Sequence, residues 1–245
     1  MGARSGPSEP IESSTTFGDR GLPHKSLTFH QPRALSDPVP YPLPKRLFDR
    51  AVSAALILFL LPLFALVVGA YALDILVWEG DRGPLFYSEA RISRGRVFPL
   101  LKFRTLRRDV LAEMRAAGGH ARLYEADPQN LTWLGRRILK PWYLDELPQL
   151  LNVLRGQLSL VGPRAWPLAM VEHQVAEGLD YRNRIMAGVT GEAQVTKGAA
   201  IPYAKLDLAY VEACRTLGGW ALVRRDLGIL RRTLTVLARG EGLAY

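Results

Sequence analysis

A single cysteine in 245 residues, Cys214, excludes an internal disulfide and suits a chain that folds in a reducing compartment. Acidic residues are few: 23 Asp and Glu stand against 32 Lys and Arg, giving a net charge of +9. No internal repeat is visible, which excludes a solenoid or propeller. Zinc-finger spacing, a helix-turn-helix signature and a stacking-aromatic module are all missing. The positive charge therefore has no motif that would read nucleic acid, and none is expected as a partner. Anionic headgroups and phosphate-bearing substrates are the remaining attractors for it.

Charge is absent altogether from Ala51 to Leu73, a run of 23 residues in which only Ser53 and Tyr71 are polar. At 1.5 Å per residue this run makes about 34 Å of helix, enough to reach across the hydrocarbon of a bilayer. Ala70-Tyr71-Ala72 resembles a signal cleavage site, but the apolar run is too long and starts too far into the chain, so the segment is an anchor. Two features oppose a simple span. Pro62 sits near its centre and removes a backbone donor. Both flanks are basic, with Lys45, Arg46 and Arg50 before and Arg82, Arg91, Arg94 and Arg96 after, so the positive-inside rule names no outer face. On the residues alone, a re-entrant helix broken at Pro62 and an ordinary kinked span both stand.

Residues 1–43 are rich in Ser, Pro, Gly and Thr without hydrophobic period and are expected to be a disordered tail. Residues 44–74 form the membrane helix, and 75–245 are long enough for one catalytic domain with a real core. Leu85-Phe86-Tyr87 reads as a short strand. Val97 to Leu106 alternates, with Lys102 and Arg104 on one face and Leu101 and Phe103 on the other. Leu111 to Leu134 reads as a polar helix and loop broken at Gly118-Gly119. Helices are expected near 145–155, 166–178, 203–217 and 219–238. The last has Leu222, Leu227, Leu230, Leu234 and Leu237 as its apolar set and Arg224, Arg225, Arg231 and Arg232 on its polar side. It could lie on a bilayer or pack on the core. The fold class is α+β and mostly helical, with a small β element and surface amphipathic helices.

Leu144-Asp145-Glu146-Leu147-Pro148-Gln149 is the most informative stretch. Asp145 holds the place of an N-cap and Pro148 falls in the first turn, while Leu147, Leu150, Leu151 and Leu154 form a buried helical face. An acidic pair at a helix start is ordinarily a cap with a solvated neighbour. Here it shares a domain with Lys102, Arg104, Arg136, Arg137, Lys140 and Arg164. A carboxylate is already ionised and attacks phosphorus without a general base, provided that cations neutralise the phosphates. On that chemistry Asp145 attacks, Glu146 helps to hold a metal ion, and Arg164 grips a phosphate bidentately.

With those residues go Lys45-Arg46-Leu47-Phe48-Asp49, Gly83-Pro84-Leu85-Phe86 and Lys102-Phe103-Arg104-Thr105. Asn152-Val153, Ser159 to Arg164, Gly188-Val189-Thr190-Gly191 and Ala193-Gln194 complete the set. In this order and at these intervals the chain, from Lys45 onward, resembles the bacterial sugar transferases of the monotopic phosphoglycosyl transferase family. The resemblance implies a re-entrant helix broken at Pro62, in the bacterial inner membrane, with the catalytic domain on the cytoplasmic face. It implies transfer of a sugar-1-phosphate from a UDP-sugar to undecaprenyl phosphate, with release of UMP, at the start of exopolysaccharide or glycan assembly. Asp145 is then the nucleophile of a covalent phosphosugar intermediate, and Mg²⁺ is held at Asp145 and Glu146. Arg164 binds phosphate, and Lys102, Arg104 and Lys140 are expected beside it. Anionic lipids of the inner leaflet are expected partners, and oligomeric state is unassigned.

The chain departs from the family pattern at Tyr143, where serine is usual, and at Lys140, where arginine is usual. Ala165 replaces a proline, Glu192 a tryptophan and Ser93 a glycine. Lysine keeps the charge of arginine but loses its fork. The alternative function is a catalytically silent membrane scaffold of the same fold. A membrane-tethered nucleic-acid binder would rest on the charge alone.

Overall fold

The computed structural model describes residues 37–117, 119–196 and 201–239. Residues 1–36 of the expected tail, and Gly118 of the expected break, lie outside the described residues. Residues 37–43 also fall in the expected tail, yet Val39 is 1% exposed in the main core, and its amide donates to the carbonyl of Arg184 at 2.9 Å. An apolar side chain with a core to enter is ordered whatever the composition around it.

Helix α1 runs from Leu43 to Val77. Its 35 residues reach about 52 Å at 1.5 Å per residue. Pro44 lies in the first turn, where a missing N–H costs nothing, and α1 continues through Pro62. One face of α1 meets the protein along its whole length. Lys45, Asp49 and Ser53 are buried, and Ile57 and Leu60 pack on the main core. Phe64, Val67 and Tyr71 then pack on a second cluster with Phe103, Leu134 and Leu139. The steps of four and three between these positions keep one helical stripe inward. The opposite face leaves Leu58, Phe59, Leu61, Leu66 and Leu73 exposed.

The inward stripe begins with charge. Lys45 Nζ lies 2.5 Å from Asp226 Oδ2 and 3.2 Å from the carbonyl of Val161. Asp49 Oδ2 accepts from the hydroxyls of Tyr41 and Ser159, each at 2.7 Å. Asp226 belongs to helix α9 (Gly219–Ala238), whose buried residues are Leu222, Val223, Asp226, Ile229, Thr233 and Val236. Of the two readings of this helix, packing on the core is the one observed. The packed face keeps only part of the expected leucine set: Leu222 is buried and Leu230 packs on the main core, while Leu227 and Leu234 are exposed. The helix is turned so that Asp226 meets Lys45, and Thr233 reaches Thr190 at 2.9 Å.

Between α1 and α9 lie two small sheets among short helices, an α+β arrangement dominated by helix. Strands β1 (Phe86–Ser93) and β2 (Arg96–Phe103) form an antiparallel hairpin in which Phe86 faces Phe103 and Ser93 faces Arg96. Its two-residue turn places Arg94 at φ 49° and Gly95 at φ 70°, the left-handed pair that suits the twist of a tight hairpin. Helices α2 (Arg108–Ala116) and α3 (Ala121–Glu125) follow, then α4 (Gln149–Leu154), shorter than expected. The side chain of Asn152 on α4 is fully buried. It accepts from the amide of Leu101 at 2.9 Å and donates to the carbonyl of Pro99 at 2.8 Å, which clamps α4 to β2.

Strand β3 (Ser159–Val161) pairs in parallel with β4 (Gly188–Thr190), a small second sheet that no local pattern announces. The two backbones come so close that a Cβ on Gly188 would stand 2.1 Å from the amide nitrogen of Gly162. Helices α5 (Leu168–Ala176) and α6 (Tyr181–Arg184) connect these strands. After β4 come α7 (Glu192–Val195) and α8 (Tyr203–Thr216), the latter carrying Cys214 inside the core.

Removing one partner of a buried ion pair leaves an uncompensated charge and costs roughly 3–5 kcal/mol. Asp226→Ala is therefore expected to lower the unfolding midpoint of the full chain in detergent micelles sharply. An unchanged midpoint would show that Lys45 is not held by this pair.

Candidate active site

The dyad forms by a local twist of the chain. A π-helical turn, Gly135–Leu139, delivers Lys140, and Tyr143 then adopts a left-handed conformation at φ 56°. A single 3-10 turn, Leu144–Glu146, carries both carboxylates, and α4 starts only at Gln149. Asp145 is therefore not the expected N-cap. No side chain caps α4, and Pro148 directly precedes it rather than lying in its first turn. A non-glycine residue held at positive φ is costly and persists where its surroundings over-determine it. Here it aims Asp145 inward, and Asp145 is 1% exposed.

Cations replace the cap. Lys140 Nζ lies 3.2 Å from Asp145 Oδ2 and 2.7 Å from Glu125 Oε2. Arg164 Nη2 lies 3.2 Å from Glu146 Oε1, with Lys102 Nζ 3.6 Å from the same oxygen. Burial pushes the Asp145 carboxyl up to about 6; Lys140 pulls against this and neighbouring Glu146 adds to it. Burial also raises Glu146, but Arg164, Lys102 and Lys140 outweigh it and bring that carboxyl to about 2. At neutral pH the pair is anionic among cations, and it opens on a cleft of about 640 Å³.

Asp145, Glu146, Lys102, Lys140 and Arg164 all line this cleft. Arg104, expected among them, does not. It is 1% exposed and donates to the carbonyls of Pro84 at 2.9 Å and Leu106 at 2.6 Å, to that of Asp81, and to the Tyr71 hydroxyl at 2.7 Å. Strand β2 ends at Phe103, so the alternation that would have kept Arg104 beside Lys102 stops one residue short. Arg104 ties α1 to the hairpin instead. Pro62, on α1, lies outside the cleft.

Sequence reasoning missed Glu89, Arg91, Glu125 and Trp166, which line the same cleft. Glu125 receives the Thr105 hydroxyl at 2.7 Å as well as Lys140. Burial raises its carboxyl, and Lys140 and Lys102 outweigh that to lower it. Glu89 accepts the amide of Ala121 at 2.7 Å, fastening α3 over β1, and pairs with Arg91. Trp166 lies under the guanidinium of Arg182, 3.9 Å from its ring centre, and Arg182 in turn binds Asp207 at 2.6 Å. None of these residues stands in a motif of its own.

The departures from the family pattern fall differently. Tyr143 and Lys140 border the cleft. Glu192 is not among its lining and pairs with Arg225 and Arg232 of α9 at 3.4 and 2.6 Å. Ala165 is buried in the main core, and Ser93 accepts the amide of Ala187 at 3.1 Å.

No group of three or more His, Cys, Asp or Glu suited to a metal occurs among the described residues. Asp145 and Glu146 each have one oxygen engaged by a cation, and their other oxygens, Oδ1 and Oε2, carry no hydrogen bond among the described residues. Two carboxylates completed by substrate phosphates and water are the donor set that Mg²⁺ prefers, and the dyad fits it.

The family model described as bacterial sugar transferase matches residues 41–240, and the chain belongs to that family. An undecaprenyl-phosphate glucose phosphotransferase of Komagataeibacter xylinus is 38% identical over 204 residues, which cover 77% of this chain and 35% of the relative. The exopolysaccharide production protein ExoY of Sinorhizobium fredii is 33% identical over 213 residues, covering 81% of this chain and 87% of the relative. An undecaprenyl-phosphate galactose phosphotransferase of Salmonella typhimurium is 34% identical over 215 residues, covering 81% and 41%. The chain thus spans well under half of the two phosphotransferases and most of ExoY.

Burial pushes the Glu89 carboxyl up, but Arg91, then Lys102, the Tyr87 hydroxyl and the Ala121 amide bring it to about 2. Its stabilising contribution is therefore complete above the ordinary carboxylate range and is lost as pH falls towards 2. Glu89→Gln should cost about 1–3 kcal/mol at neutral pH. Chemical denaturation across pH should show the gap from wild type narrowing on acidification. A gap that is constant with pH would contradict the charge assignment.

Proposed function

We propose that the protein transfers a sugar-1-phosphate from a UDP-sugar to undecaprenyl phosphate, releases UMP, and so initiates an exopolysaccharide or related glycan. The observation that carries this reading is a buried carboxylate with one unengaged oxygen, set among Lys102, Lys140 and Arg164 at the wall of a cleft. Among the family's members, a Caulobacter vibrioides relative named UDP-glucose:undecaprenyl-phosphate glucose-1-phosphate transferase is 33% identical over 206 residues, and its name describes the same reaction.

In this scheme Asp145 Oδ1 attacks the phosphorus that bears the sugar. The Oδ1–P bond forms as the P–O bond to the UMP phosphate breaks, and UMP departs with the bridging oxygen. A phosphate oxygen of undecaprenyl phosphate then attacks the same phosphorus, the Oδ1–P bond breaks, and the carboxylate is regenerated. Neither step needs a general base, because both nucleophiles are already anionic. Lys140 holds Oδ2 and so fixes which oxygen points at the substrate. Arg164, anchored through Glu146, presents its guanidinium to phosphate. Mg²⁺, which Asp145 and Glu146 would hold, supplies neutralisation of the diphosphate when bound.

The acceptor is a membrane lipid, and α1 is the means of reaching it. α1 is long and apolar enough to cross a bilayer. However, its inward stripe touches the same body both before and after Pro62. A helix that packs on one body at both ends keeps both ends on that body's side. This favours a monotopic anchor over a span, with the catalytic domain at the cytoplasmic face where nucleotide sugars are available. The helix runs unbroken through Pro62, so a re-entrant dip requires it to bend there in lipid. The exposed leucines and Phe59 then face acyl chains.

The test is UMP release from a panel of UDP-sugars by purified protein with undecaprenyl phosphate and Mg²⁺. Asp145→Asn is expected to abolish release and Lys140→Met to lower kcat about 10²-fold, the usual effect of losing one fixed charge at a reacting group. Radiolabel from the sugar-linked phosphate should stay on wild-type protein before acceptor is added. Turnover by Asp145→Asn equal to wild type would refute the nucleophile. A wild type silent with every donor would favour the scaffold reading.

A further inference from the structure

A second cleft, of about 700 Å³, opens where α1 enters its apolar run. Five arginines line it: Arg46 and Arg50 from α1, Arg94 and Arg96 from the β1–β2 turn, and Arg155 just after α4. No carboxylate lines it, and none of the five forms an ion pair among the described residues. The acid nearest in sequence is Asp49. It is fully buried and already taken by Lys45, Tyr41 and Ser159. Arg96 lies six residues along β2 from Lys102, about 20 Å at 3.3 Å per residue, so this cleft is separate from the dyad.

The cluster is built rather than scattered. Arg94 sits in a left-handed conformation ordinarily given to Gly or Asn, and the turn that holds it puts two arginines side by side. Arg46 Nε donates to the carbonyl of Tyr41 at 2.7 Å, with its guanidinium over the Tyr41 ring. Arg50 lies against Gly156, where a Cβ would come within 2.9 Å of its Nη2. Burial, and then the charges of Arg46 and Arg96, lower the pKa of Arg94.

Like charges converging in a concave site without counter-charge are stabilised by an anion, and guanidinium forks match phosphate oxygens. Arg46 and Arg50 stand within the two turns before Ala51, so the cleft opens at headgroup depth when the apolar run is in lipid. We propose that this cleft binds the headgroup phosphate of an anionic phospholipid and so fixes the depth and tilt of α1. The proposal rests on α1 being the membrane anchor.

The full chain would be purified in neutral detergent micelles doped with equal amounts of phosphatidylglycerol and phosphatidylcholine, and the retained lipids counted by native mass spectrometry. Wild type should retain phosphatidylglycerol in preference. The Arg94→Gln/Arg96→Gln double variant should lose that preference about 30-fold, as expected for removing two cations from an anionic surface. Arg155→Gln, on a different element, should weaken it in the same direction. Both variants should release UMP at the wild-type rate in detergent, which confirms that they are folded. An unchanged preference in both variants would overturn the proposal. Loss of bound phosphatidylglycerol on adding millimolar inorganic phosphate would replace the lipid by a free anion. A wild type that stays monodisperse without detergent and retains neither lipid would overturn the anchor, while UMP release reports on the reaction separately.

Discussion

Lys45 carries a positive charge into the interior at the start of the long apolar helix, and Asp226 meets it there. A buried charge without a partner is far more costly than any surface contact is favourable. The pair therefore dictates how α1 and α9 are turned relative to each other. Once Asp226 faces inward, Ile229, Thr233 and Val236 follow it, and two leucines of α9 are left outside. Once Lys45 faces inward, a single stripe of α1 follows for seven further turns. The exposed apolar residues of the helix are what remains.

The cleft obeys the same economy of charge with the signs reversed. Glu125, Asp145 and Glu146 face Lys102, Lys140 and Arg164, and each carboxylate is met by at least one cation. Burial alone would protonate such acids. The cations keep Glu146 ionised and leave Asp145 the weaker-held of the two. Asp145 keeps one oxygen that no cation engages among the described residues, the feature on which the proposed nucleophile rests. Arg104, a cation of the same strand region, is spent on carbonyl oxygens near α1, so it joins the anchor to the hairpin rather than adding charge to the site.

How much was legible followed from how local each feature is. The apolar run of α1, strand β2, α8 and α9 could be read because their signals are runs and periods within one segment, whereas β1 was expected only over Leu85-Phe86-Tyr87 and extends to Ser93. The dyad could be read because its residues are adjacent. The cap expected at Asp145 failed because Tyr143 turns left-handed, a backbone state that no side-chain pattern announced. The β3–β4 sheet went unseen because its strands are three residues each and pair across the α5–α6 connection. Glu89 and Glu125 stand in no local motif, and only the packing of α3 over β1 brings both to the cleft.

The sequence by itself determined the chemical inventory: one uncharged run long enough to cross a bilayer, one adjacent pair of carboxylates, and a surplus of cations. Composition and spacing suffice for these, because they depend on which groups are covalently near each other. Only the tertiary structure decided which cation serves which acid, which face of each amphipathic helix is inward, and where five arginines converge. Those outcomes depend on buried charges finding partners across distant segments, and such pairing is settled by the packing of the whole chain.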